Sequence, residues 1–369
     1  MTNVLAEIFF NPLQPGYTVF PYDHLAEMRF DEHRRNIFSE AVDGDLEQLE
    51  RTSILGLDAP DHTRLRRLVS KAFTPRAIEA LRPQIQELVD TALDRIAAAG
   101  QADVISELAF PLPFDVITEM LGMPPGDTEA LRDWGEALVK TFDPIITDDE
   151  IRESVLAGQA MDRRITAFIE WKRENPGDDL LTAMIDAEED GDRMSARELR
   201  DQVQLLFIAG HETTVNLIGT GLADLLERPA LTKHVHENGL DMTGIDELLQ
   251  FVSPVQLSRR ITLQDIETGG RQIPKGTMVM AGLASANRDE AKRGPTAHEL
   301  YLDRKGAGQH LSFGSGIHYC LGASLAKLEA QVAIGSFVER FPNASIVDAK
   351  FNGRINLRGL DKLIVDVTG

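Results

Sequence analysis

His310-Leu-Ser-Phe313-Gly314-Ser-Gly316-Ile-His318-Tyr-Cys320-Leu-Gly322 is the most informative stretch of the 369-residue chain. It has the form Phe-Gly-x-Gly-x-His-x-Cys-x-Gly and runs into a helical pattern from Leu321 to Arg340. A thiolate at a helix start is stabilised by backbone N–H groups and by the positive end of the helix dipole. Gly314 and Gly316 permit a tight turn with positive φ and leave room for a flat ligand against the backbone. Gly322 is expected to do the same one turn on, and Phe313 to shield the sulfur from water. The bland reading is an inert cysteine beside a Gly-rich turn. A dinucleotide-binding fingerprint fits worse, because its third glycine position is Tyr319 and no convincing strand precedes the run.

This pattern resembles the proximal-ligand loop of the cytochrome P450 family. The resemblance implies that Cys320 is the axial thiolate of a haem iron, heme b, donating electron density that favours O–O cleavage. It also places Phe313, Gly314, His318 and Gly322 against the cofactor. The matching segments span roughly residues 57 to 369, so the chain is expected to be a single domain, with 1–56 poorly matched.

Composition supports a globular chain. Hydrophobic residues make up 43% and charged residues 26%, far from disordered or fibrous classes. Acidic residues (59) outnumber Lys+Arg (38), for a formal net charge of −21. Such a chain repels phosphate backbones and anionic headgroups, so neither nucleic acid nor a membrane is expected as a partner. One cysteine excludes an intramolecular disulfide and any multi-thiolate metal site, which fits a reducing, cytoplasmic setting. No stretch reads as an export signal or a membrane span.

Helical periodicity dominates, with helices expected near 60–73, 75–99, 126–140, 148–174, 196–227, 243–252 and 321–341. The fold class is mainly α with small β-sheets. Short hairpins are expected between Arg259 and Leu283, turning at Gly269-Gly270, and another around Ile355 and Leu363–Val367. The helix near 196 opens on a Ser195/Glu198 capping box and ends at Arg228-Pro229. At about 32 residues, or about 48 Å, it should cross the whole molecule through its core.

Mid-helix, this segment reads Ala209-Gly210-His211-Glu212-Thr213-Thr214. Glycine there costs about 1 kcal/mol of helix propensity, and threonine can turn its hydroxyl onto the carbonyl four residues back. Such a local conflict points to a site rather than to packing, the alternative being a kinked structural helix. His211-Glu212 begins like a zinc-protease motif, but Val215 stands where the second histidine is needed. The hexapeptide resembles the oxygen-activating helix of the same family. By that resemblance Thr213 hydrogen-bonds bound O2, Glu212 relays protons from solvent, and Ala209 and Gly210 look at the haem.

A haem brings two carboxylates that need cationic or hydrogen-bonding partners. His62 and Arg66, four residues apart, share one helix face. The resemblance assigns this pair to a propionate, and adds Arg260 and His318. Arg64, Arg67 and Lys71 fall on the opposite face. They read equally as a solvated stripe or as a docking patch for an acidic electron donor such as a ferredoxin.

Three departures from the family pattern stand out. Glu247-Leu-Leu-Gln250 replaces the usual Glu-x-x-Arg, and Glu299 falls where that glutamate's second arginine is expected, so the usual buried ion network is not expected to form. Counterparts of the N-terminal sheet strands and of the helix covering the substrate pocket are not evident between Arg29 and Glu50. The N-terminal sheet region therefore reads as shortened.

The expected function is a haem-thiolate monooxygenase that inserts one oxygen atom of O2 into an apolar small molecule, with electrons from a ferredoxin-type partner. Lipids, terpenes, steroids and polyketides are all compatible substrates. By family analogy, Phe251–Leu257 and the groove near Ala209 line part of the pocket. The alternatives are a degenerate non-catalytic scaffold, favoured by the missing arginines and short N-terminus, and a peroxide-driven haem enzyme.

Overall fold

Ser195 starts the longest helix as its sequence predicts. Its Oγ accepts from the Glu198 amide at 3.2 Å, and the Glu198 carboxylate accepts from the Ser195 amide at 2.7 Å. In this computed structural model the described residues are 37, 42, 52–70, 73–124, 128–189 and 192–369. The segment expected to hold the N-terminal strands and the pocket-covering helix falls almost wholly outside them, as does Lys71.

The central helix, Ala196–Leu226, has 31 residues and stops three residues before Pro229, which opens the next helix, Pro229–Asn238. Leu199, Val203 and Phe207 pack into one apolar cluster with Phe114, Leu131, Met161, Ile165 and Phe168. Val215, Leu217, Ile218 and Leu222 pack into a second, with Leu93, Ile96, Leu248, Ile334 and Phe337. The Ala209–Thr214 hexapeptide therefore lies at the seam between two cores, where a cleft can open without breaking either.

Most expected helices form. Asp61–Ser70, Thr128–Val139, Asp148–Glu174, Met242–Val252 and Ala323–Arg340 fall where the apolar spacing puts them. The span expected at 75–99 is two helices, Pro75–Glu79 and Arg82–Ala99. Pro83 accounts for the break, since proline is tolerated only in a first turn. Pro111–Met120 and Leu180–Asp186 were not legible as helices. In the first, Leu112, Phe114, Val116 and Ile117 are all buried, and a helix apolar on several sides has no period to detect.

Small antiparallel sheets complete the fold. Leu257–Ile261 pairs with Met278–Gly282, and Ile266–Thr268 pairs with Arg271–Ile273. Gly269 and Gly270 turn the second pair at φ 55° and 72°, a conformation that favours glycine. A three-stranded sheet takes the order Gln101–Asp103, Leu360–Asp366, Ser345–Phe351. The final hairpin thus pairs Leu360–Asp366 with Ser345–Phe351, and Ile355 sits in the connecting loop rather than in a strand. Among the described residues, no helix is long and apolar enough to cross a membrane.

Candidate active site

Cys320 lies three residues before the helix Ala323–Arg340, on a loop whose shape comes from its glycines. Gly314 and Gly316 have φ of 69° and 73°, as their spacing predicts. The Cys320 amide donates to the Phe313 carbonyl at 3.0 Å, the Tyr319 amide to Gly316, and the Gly314 amide to Leu311. Gly322 differs from expectation: its φ is −86°, so it serves as the helix N-cap rather than as a left-handed turn residue. Burial pushes the Cys320 thiol up, while the Gly322 amide and Arg66 pull it down. The Phe313 ring lies 5.5 Å from the His310 ring and 6.2 Å from the Tyr319 ring.

A buried polar network, not anticipated from the sequence, braces this loop from behind. Ser312 Oγ donates to the Leu249 carbonyl at 2.7 Å, and Asn287 Nδ2 donates to Ser312 Oγ and Ser253 Oγ. Asn287 Oδ1 accepts from the Leu311 amide at 2.7 Å. His310 Nε2 lies 3.3 Å from Asp246, which also pairs with Lys327. Fully satisfied networks of this kind fix one arrangement of a loop.

On the helix Asp61–Ser70, His62 is buried at 1% exposure and Arg66 is half-buried. Arg66 Nη2 donates to the Tyr319 carbonyl at 2.7 Å, tying this helix to the cysteine loop. The His62 and His318 rings stand 4.1 Å apart between centroids. Both His62 ring nitrogens and His318 Nε2 are buried without a hydrogen-bond partner among the described residues. Burial lowers the His62 pKa to about 4, with His318 and Arg66 lowering it further and Asp58 opposing. Arg66 supplies the positive charge here, and the neutral His62 and His318 Nε2, which stands 3.9 Å from Asp58 Oδ1, leave buried ring nitrogens for a hydrogen-bonding ligand. Arg260 is not shown joining it. Arg260 Nη1 donates to Ser258 Oγ and to the Arg259 carbonyl on its own strand.

The central helix presents the other half of the site. Ala209 is exposed although it lies between buried stretches of a core helix, so open space lies beside it. Thr213 Oγ1 donates to the Ala209 carbonyl at 2.9 Å, and Thr214 Oγ1 to the Gly210 carbonyl at 3.1 Å. The helix nevertheless stays continuous. Once its proton is spent on the backbone, a hydroxyl still has lone pairs with which to accept. A Cβ on Gly210 would meet Cδ1, the far end of the Ile117 side chain, at 2.5 Å, so that side chain would have to shift. His211 turns away, with Nε2 2.8 Å from the Phe110 carbonyl, and burial lowers its pKa to about 4. Glu212 is buried and pairs with Arg354 Nη1 at 2.9 Å, a partner the sequence did not reveal.

Two sequence expectations are corrected. Glu247 does form a buried ion pair: Arg304 Nε lies 2.9 Å from each of its carboxylate oxygens. The Tyr301 amide donates to Glu247 Oε1 at 3.0 Å, and Arg304 also reaches Thr296 and the Glu299 carbonyl. Glu299 contributes backbone only, so its side chain never competed for that place. Gln250, buried at 1%, does not take over the arginine's role, and its Oε1 has no hydrogen-bond partner among the described residues. In the basic stripe, Arg64 pairs with Asp192 and with Glu198 in the first turn of the central helix.

Cys320 on its glycine turn, the His62, Arg66 and His318 group beside it, and the Ala209–Thr213 segment of the central helix are the candidate residues of the site. The Cytochrome P450 family model matches residues 22–346, and the chain belongs to that family. The match begins well before residue 57, so the N-terminal region follows the family further than its sequence motifs suggested. Cytochrome P450 107B1 of Saccharopolyspora erythraea is 43% identical over 319 residues, covering 85% of this chain and 76% of the relative. The vitamin D(3) 25-hydroxylase of Pseudonocardia autotrophica is 38% identical over 344 residues, covering 91% and 83%. P450BioI, solved in complex with an acyl carrier protein bearing hexadec-9Z-enoic acid, superposes with a TM-score of 0.84 at 32% identity, covering 96% of this chain and 88% of that one. This chain is accordingly a cytochrome P450 monooxygenase, an oxidoreductase that uses haem iron, O2 and a small-molecule substrate.

The residues present fit a haem. A Cβ on Gly314 or Gly322 would meet no protein atom within 4 Å, so both glycines border open space beside the cysteine loop. The orphaned nitrogens of His62 and His318, with Arg66 between helix and loop, are suited to carboxylates.

Proposed function

We propose that Cys320 ligates the iron of a heme b and that His62, Arg66 and His318 hold its propionates, with Arg260 as a further partner. Phe313, Gly314 and Gly322 would form the wall on the sulfur side, Ala209 and Gly210 the facing wall, and residues 1–369 would act as one domain. The observation that carries this is the coincidence of a lone cysteine on a positive-φ glycine turn with unsatisfied histidines 4.1 Å apart beside it. Bound there, the group supplies oxidising power drawn from O2 and two electrons. The chain's own residues do the rest. Ala209 leaves space over the cofactor, Thr213 accepts a hydrogen bond beside the reacting oxygen, and Glu212 passes protons inward from solvent.

The substrate we infer is an apolar small molecule that receives one oxygen atom. Two relatives' names support this: one acts on vitamin D(3), and the other was solved with a long acyl chain on a carrier protein. The electron donor is inferred to be of the ferredoxin type, approaching the sulfur side, where Ile317 and Tyr319 are 52% and 44% exposed and Arg67 is exposed. The scaffold alternative loses its main ground, because the Glu247 ion pair is intact.

The test is turnover with a ferredoxin, its reductase and isotopically labelled dioxygen over a panel of sterols, acyl chains and macrolides. Incorporation of one labelled atom into a product supports the reading. Reduction of O2 with no product from any of the panel contradicts it.

A further inference from the structure

Glu212 and Arg354 are 142 residues apart in sequence and meet at 2.9 Å. We propose that Arg354 is the positioning residue for the acid of the central helix: its guanidinium fixes where the Glu212 carboxylate stands and stabilises its charged form. This rests on the reading of Glu212 as the proton-relaying acid and adds the group that controls it.

The loop carrying Arg354 is fastened on both sides of that residue. The Arg354 amide donates to Asn352 Oδ1 at 3.0 Å. The next two amides, of Ile355 and Asn356, both donate to Asp143 Oδ2, at 2.6 and 3.1 Å. Asn356 then bonds the Phe142 carbonyl through Nδ2 and the Leu257 amide through Oδ1, each at 3.1 Å. Asp143 and Asn356 are themselves buried, and the bond between the Asn356 amide and Asp143 is buried with them. The following residues press against the central helix itself: a Cβ on Gly359 would fall 1.7 Å from Asn216 Oδ1, one helical turn beyond Glu212.

The charges around Glu212 explain what the placement does. Burial disfavours its ionised form, and Glu136 on Thr128–Val139 and Asp361 on Leu360–Asp366 push the same way. Arg354 opposes all three. The neighbouring His211 is held neutral at ordinary pH by burial and so adds no charge. Burial outweighs Arg354, so the Glu212 carboxyl already stands above its ordinary value, and removing Arg354 would push it further up. Arg354 therefore sets how readily this acid gives up and takes back its proton.

The test follows the protonated-carboxyl infrared band of the holoenzyme against pH, assigned to Glu212 by its loss in E212Q. In R354Q the titration midpoint should rise by about one pH unit or more, and in R354K it should stay within about half a unit of the parent. A shift of less than about half a unit in R354Q, or a downward one, overturns the proposal. Should R354Q not accumulate as holoenzyme, D143N carries the test. Weakening the acceptor of the Ile355 and Asn356 amides loosens the seat of Arg354 and should move the same midpoint up, and an unmoved midpoint overturns the proposal. Failure of the underlying reading looks different: E212Q would then leave the share of electrons recovered in product unchanged, whatever R354Q does to the infrared titration.

Discussion

Arg304 Nε stands equidistant, at 2.9 Å, from the two carboxylate oxygens of Glu247, and both side chains are almost wholly buried. Burial pushes the Glu247 carboxyl up, and the Tyr301 amide and Arg304 draw it back. The pair joins the helix Met242–Val252 to the segment leading into the cysteine loop. Arg304→Met should therefore destabilise the fold by about 3–5 kcal/mol, because it strands a buried charge. Urea unfolding of Arg304→Met beside the double variant Glu247→Gln/Arg304→Met checks this. The double variant should recover part of the loss, and a single variant as stable as the parent would contradict the account.

Glu329 gives a pH signature. It is 1% exposed on the helix Ala323–Arg340, its Oε1 has no hydrogen-bond partner among the described residues, and burial raises its pKa from 4.5 to about 8. The folded chain therefore holds this proton where the unfolded chain releases it, so stability falls as pH rises from about 4.5 to about 8. The loss amounts to a few kcal/mol, on the order set by about 1.4 kcal/mol per pH unit. Glu329→Gln should flatten that part of the curve and raise the urea midpoint at pH 8. Parallel pH profiles for the two proteins would show that Glu329 does not titrate in this way.

Haem retention should depend on the histidine pair. Replacing His62 by leucine keeps the volume roughly but removes a donor to a charged group, worth about 1.5–3 kcal/mol. The rate of haem transfer to an apo-globin acceptor should rise by about tenfold or more. Arg66→Met should act in the same direction and also free the Tyr319 carbonyl, loosening the cysteine loop. Transfer rates equal to the parent's in both variants would remove these residues from the cofactor site.

Thr213 is bonded to the Ala209 carbonyl in this structure, which leaves its oxygen as an acceptor beside the cleft. Thr213→Val preserves shape while deleting the hydroxyl. Product formed per reducing equivalent should fall by about tenfold or more, with the missing electrons appearing as peroxide or water. Unchanged coupling would assign the hydroxyl to the helix backbone alone.

The fold was legible where local chemistry was strong. The capping box at Ser195 and Glu198, the apolar spacing of Asp148–Glu174 and the Gly269-Gly270 turn each specify their own element. The cysteine loop was legible because its glycines must take positive φ. What stayed hidden depends on residues distant in sequence. Arg354 reaches Glu212, and Asp143 pins the Arg354 loop, through contacts that no local pattern announces. Arg304 was in plain view five residues after Glu299, yet only the turn through Tyr301 and Leu302 shows which of the two faces Glu247. Pro111–Met120 was missed for the opposite reason, being too uniformly buried to show a period.

The central claim is sulfur ligation by Cys320, and the carbon monoxide spectrum of the dithionite-reduced protein tests it most directly. The strongly red-shifted Soret band of a thiolate-ligated haem is predicted for the parent, with loss of that band in Cys320→Ser. A parent that binds no haem, or a Cys320→Ser variant whose spectrum matches the parent's, would contradict it.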